Sequence, residues 1–126
     1  MKSELLHADG TAYIAFVFDH RLDRAQVEEM ARVVDSAIAT HDDLRLLLDL
    51  RKTEEFAPGA FLSPQGLLAS FKSIVPVRRY AVVGAPRIAE LAVENFGAIL
   101  PLESQAFAAE EIEQAKIWIT RPLDQQ

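Results

Sequence analysis

The chain has 126 residues, half of them hydrophobic and a quarter charged, with a formal net charge of −6 at pH 7. That size suits a single domain over residues 1–126. The absence of cysteine excludes disulfides and thiolate metal sites, and the acidic balance argues against a nucleic-acid backbone as the main partner.

Met1-Lys2-Ser3-Glu4 turns acidic before any run that suits a signal peptide. The longest apolar stretch, 12–18, is far short of the ~20 residues a spanning helix needs. The absence of cysteine agrees with a reducing, cytoplasmic location, which is the expectation.

Two β-like runs come first, 4–6 and 12–18, joined at Asp9-Gly10, where glycine suits the positive φ of a tight turn. A helix follows. Asp23 is placed to cap it, Gln26 completes a capping box, and Leu22 can staple onto Val27. Val27, Met30, Ala31, Val34 and Ile38 then recur at helical spacing, with Glu28, Glu29, Arg32 and Asp35 on the wet side. After His41-Asp42-Asp43, the aliphatic run 44–50 is the best candidate for a central strand covered on both faces.

Residues 51–62 then predict a loop longer than the usual ~4–6 residues. Ser63-Pro64 opens a second helix, with Leu67, Phe71 and Ile74 inward and Pro76 as its stop. A further strand, 79–84, leads through Ala85-Pro86 into a third helix with Ile88, Leu91, Ala92 and Phe96 inward and Gly97 at its end. Glu103–Phe107 predicts the fifth strand. The last helix, 109–120, turns Ile112, Ala115, Trp118 and Ile119 to the core. The pattern is an α/β domain: a mixed sheet of about five strands, an antiparallel N-terminal hairpin and otherwise parallel strands, with four helices.

Leu46-Leu47-Leu48-Asp49-Leu50, the strand Ala81-Val82-Val83-Gly84, and Phe107 followed by the stretch 110–119 with Ala115 and Trp118 resemble the SpoIIAA-like proteins. In those, a strand reading vAvVG precedes the third helix and an F…eA…WL ending closes the domain. The resemblance covers nearly the whole chain and implies a STAS-like fold, related also to the lipid-binding CRAL-TRIO (Sec14-like) domains. It further implies kinship with anti-sigma-factor antagonists. These bind a partner kinase and are switched by phosphorylation of a serine in an Asp-Ser-Ser-Gly-like turn before the second helix. Here the nearest equivalent is Leu62-Ser63-Pro64-Gln65-Gly66, with no Asp before the serine and a proline after it.

Ser63 has two readings. It caps the second helix, contributing about 1 kcal/mol, or it carries a phosphate stabilised by the positive end of that helix. Phe56, Phe61 and Leu62 are unusual in a loop: they close the core as a lid, gate an apolar pocket, or anchor a partner. Asp49, Arg51, Lys52 and Thr53 lie just past the carboxyl end of the central strand, with Ala85 and Arg87 in the same place after the next one, where open α/β sheets hold ligands. No Gly-x-Gly-x-x-Gly is present, however, and Asp49 reads as a strand-end residue making local hydrogen bonds.

His7, His20 and His41 fall in three separate segments with no ligand spacing, so no metal is expected, and no cofactor either. Acidic neighbours such as Glu54-Glu55 make solvated faces, and no nucleophile elbow exists.

The expected function is a non-enzymatic binding module of STAS type that engages a protein partner. Its contacts would come from Thr53, Phe56, Phe61 and Leu62, with Ser63 as the candidate switch. The alternative is a carrier or sensor of a small apolar ligand or lipid. A homodimer is an expectation of kinship.

Overall fold

The computed structural model describes residues 1–8, 10–56, 77–84 and 103–122. Strands β1 (Lys2–Ala8), β2 (Thr11–Val17), β4 (Leu44–Asp49), β6 (Val77–Val83) and β7 (Glu103–Phe107) form one sheet in the order β1-β2-β4-β6-β7. The hairpin β1–β2 is antiparallel and turns at Gly10, whose φ is +78°. All other pairings in this sheet are parallel. The leucine-rich run is the middle strand, buried along its whole length.

Strand alternation sorts the core into two layers. Leu44, Leu46, Leu48 and Leu50 point to one face with Ile14, Phe16, Tyr80 and Val82. Helix α1 (Arg24–Ile38) covers that face with Met30, Ala31 and Val34. Its N-terminus is the expected capping box: the Gln26 amide donates to Asp23 Oδ1 at 3.0 Å, and Gln26 Oε1 accepts from the Asp23 amide at 3.2 Å. The Val27 side chain, on which the staple depends, lies outside the described residues.

The other face holds Tyr13, Leu47, Ala81, Val83 and Phe107. A 3₁₀ turn (Ala109–Glu111) leads into α2 (Ile112–Thr120), which covers this face with Ala115 and Ile119. Trp118 is half-buried against the same layer, its ring 5.8 Å from that of Phe107.

Among the described residues there are two α-helices rather than four, because the helices expected after Ser63-Pro64 and Ala85-Pro86 lie outside them. One expectation needs correction. The stretch 51–62 is not a loop from end to end, since β5 (Thr53–Phe56) pairs parallel with β3 (His20–Leu22) as a separate two-stranded ribbon. Both segments are too short and too charged to show a period of two, so only the non-local pairing makes them strands.

Two buried arginines stand on the α2 face at neighbouring register positions, Arg45 opposite Arg79, 2% and 4% exposed. They cap the end of α2. The Arg45 guanidinium donates to the carbonyls of Ile119 (2.8 Å) and Arg121 (2.5 Å), and that of Arg79 to Trp118 (2.6 Å) and Arg121 (2.9 Å). The last carbonyls of a helix have no partner of their own, so these donors fill a need the fold creates. Each cation is balanced at the rim, Arg45 by Asp43 and Arg79 by Glu103 at 2.8 Å. Among the described residues no helix is long and apolar enough to cross a membrane.

Candidate functional site

The carboxyl ends of β2, β4, β6 and β7 meet at one edge of the sheet, and the chain between β4 and β5 crosses there. Asp49 ends β4 with its carboxylate buried. Its Oδ1 accepts from the Arg51 amide (3.0 Å) and Nε (2.9 Å), and its Oδ2 from an Arg51 terminal nitrogen (2.8 Å). Burial, the largest single influence, would push the Asp49 carboxyl up, but the hydrogen bonds from Arg51 together with the charges of Arg51 and Lys52 outweigh it and hold the group below the usual carboxylate range. The same pairing raises the Arg51 guanidinium. The expectation of local hydrogen bonding at Asp49 is met, and the carboxylate is occupied by its own loop.

Gly84 explains itself at this edge. Its φ is +79°, and a Cβ there would lie 3.1 Å from the Arg51 Cα. The glycine lets the crossing chain pass close over the end of β6, which requires no phosphate ligand. Backbone hydrogen bonds tie the layer together: the Leu50 amide to the Val83 carbonyl (2.8 Å) and the Gly84 amide to the Phe107 carbonyl (2.9 Å).

Thr53 roots the ribbon. Its hydroxyl donates to the Phe18 carbonyl at 2.8 Å and its amide to the Leu50 carbonyl at 3.1 Å, so this candidate contact residue is half-buried and structurally engaged. Beyond it the ribbon's charged side chains are exposed, while Leu22 is buried in the core. His20, held at φ +63°, places Nδ1 2.9 Å from Glu54 Oε1, and Arg21 reaches Glu55 at 3.5 Å. The backbone of Phe56 closes β5 opposite Leu22. The Phe56 side chain, Phe61, Leu62, Ser63, Ala85 and Arg87 lie outside the described residues.

The histidines do not form one site. His20 belongs to the ribbon, while the His7 and His41 rings lie 6.3 Å apart between β1 and the end of α1, a proximity that sequence spacing did not signal. His41 Nδ1 sits 2.9 Å from the Ala37 carbonyl, finishing the helix. Among the described residues no group of three or more His, Cys, Asp or Glu side chains could hold a metal. A groove of about 430 Å³ on the hairpin is lined by Lys2, Ser3, Glu4, Ala15 and Val17, a mixed rather than an apolar wall.

Sequence reasoning missed the ribbon and the buried arginine pair. For the pair, a signal was present: Arg45 interrupts an otherwise aliphatic run, and a charge inside a fully covered strand must meet a partner.

No curated protein matches the sequence. The fold is similar to the crystal structure of an uncharacterized protein from the DUF3478 family with a SpoIIAA-like fold, from Shewanella loihica PV-4. The TM-score is 0.69 at 21% sequence identity, covering 94% of this chain and 92% of that one. The SpoIIAA-like family model matches residues 13–120, from the second strand through the whole of the closing helix. With that span matched and the same layered sheet in place, the chain belongs to the SpoIIAA-like family.

Proposed function

We propose that this domain is a non-enzymatic, cytoplasmic binding module of STAS type. Its protein partner docks on the edge where the chain leaves β4, on residues 51–62 with the start of the following segment at Ser63. The observation that carries this reading is the β3–β5 ribbon. It stands on the carboxyl end of the sheet, is pinned by Thr53, and presents His20, Arg21, Glu54 and Glu55 to solvent. Exposed charges on the ribbon, followed in the sequence by the apolar residues Phe56, Phe61 and Leu62, have the composition of a contact patch. The Asp49 carboxylate at this edge is paired with Arg51, which lowers its affinity for a proton and speaks against a role as general acid.

Affinity capture from its own cell extract tests the proposal, comparing the wild type with Glu54→Lys and Phe61→Ala. A partner held by the wild type and released by both variants, with their melting temperatures unchanged, supports it. Retention by both variants, or a Phe61→Ala protein that melts early because the ring is core, overturns it. Organic extraction of the purified protein decides the other class, since a stoichiometric lipid would make it a carrier instead.

A further inference from the structure

Strand β1 is the end of the sheet: among the described residues its inner edge pairs with β2 and no strand is hydrogen-bonded to its outer edge. Natural proteins blunt such edges with charged side chains, proline, bulges or very short strands, and of these devices β1 carries the charges Lys2 and Glu4 near one end. Here Lys2–Ala8 is seven residues long, contains no proline, and keeps an unbroken register with β2. Lys2, Ser3, Glu4, Leu5 and His7 are all exposed. Leu5 is opposite the buried Ile14 yet remains 44% exposed, and among the described residues only Ile117 is a large apolar side chain left as open.

We propose that this edge pairs with the same edge of a second copy, antiparallel, about a two-fold axis through Leu5. The occupant follows from register. A two-fold perpendicular to the sheet keeps each face continuous, so only residues of equal parity can oppose one another. Centring on Leu5 pairs all seven residues, sets Leu5 against its twin, Ser3 against His7 and Glu4 against Leu6, and opposes no like charges. Centring one residue earlier sets Glu4 directly against Glu4, a repulsive pair. Centring one residue later drops Lys2 and Ser3 from the pairing. The self-complementary register is thus the longest and the least repulsive, and it buries the exposed leucine. This inference is independent of the protein-partner reading, which concerns the other end of β4.

Sedimentation of the full chain over a concentration series is expected to show a monomer–dimer equilibrium. The absence of cysteine makes single-cysteine reporters clean. Under copper–phenanthroline oxidation in air, Leu5→Cys should cross-link rapidly, because directly opposed Cβ atoms lie about 4.5–5.5 Å apart. Ile117→Cys serves as the collision control. Ser3→Cys and His7→Cys should cross-link to each other when mixed but not to themselves, since Ser3 and its own twin stand about 13 Å apart in this register. Leu5→Lys, with like charges at the axis, should sediment as a monomer with an unchanged circular dichroism spectrum. A wild type that stays monomeric at every concentration overturns the proposal. So does a dimer in which Leu5→Cys cross-links no faster than Ile117→Cys.

Discussion

Replacing Arg79 by Met keeps the length and apolar stem of the side chain while deleting its charge. The guanidinium now donates to Glu103 (2.8 Å), to the Trp118 carbonyl (2.6 Å) and to the Arg121 carbonyl (2.9 Å), and lies 5.0 Å from the centre of the Trp118 ring. Charge-assisted hydrogen bonds are worth about 1.5–3 kcal/mol each in mutational terms. Three features reduce the loss. Glu103 is exposed and regains water, the Trp118 carbonyl keeps the Arg121 amide at 3.2 Å, and the Arg121 carbonyl keeps Arg45. The desolvation cost of the arginine itself also disappears. The net expectation is a destabilisation of about 2–3 kcal/mol, a large share of the ~5–15 kcal/mol typical of a domain.

Urea titration measures it, and the single tryptophan, Trp118, is the reporter because it sits on the clamp. Arg45→Met should cost as much, and the double variant should cost about 1 kcal/mol more than the sum, since both cations share the Arg121 carbonyl. A loss below about 0.5 kcal/mol in the single variant would equate the clamp with a solvated surface ion pair. Strict additivity would refute the sharing.

Gly84→Ala should destabilise by about 2–3 kcal/mol, from the left-handed backbone together with a Cβ pressed on the Arg51 main chain, read as a lower melting temperature. An unchanged melting temperature would show that the crossing chain can yield. Asp49→Asn should cost about 1–2 kcal/mol at neutral pH, at the low end for a charge-assisted pair because Arg51 is 41% exposed and can be resolvated. The sign with pH follows from the lowered carboxyl. Its contribution is complete above the unfolded value of about 3.9 and is lost as pH falls through the folded one. The urea midpoints of wild type and variant should therefore converge on acidification below about pH 4. A gap that stays constant there would assign the effect to shape rather than charge.

Much of this architecture is legible in one dimension. The capping box at Asp23 and Gln26, the helical repeat from Met30 to Ile38, the closing Ala115 and Trp118, and the doubly covered run at Leu44 are local patterns with local causes. The ribbon was not legible, because His20–Leu22 and Thr53–Phe56 are strands only through each other, with paired residues such as His20 and Glu54 34 positions apart. The candidate site is divided in the same way: Asp49 could be placed at a strand end from its position, but its capture by Arg51 and the close chain crossing at Gly84 arise only in the tertiary fold.

What the sequence alone determined is the class of fold and the identity of the buried faces, since hydrophobic period follows from the geometry of each element by itself. Strand order, the meeting of Arg45 and Arg79 over one helix end, and the place of β1 at the end of the order β1-β2-β4-β6-β7 were decided only in three dimensions. Those features depend on which distant segments share a hydrogen-bonded ladder, and no local window of residues encodes that choice.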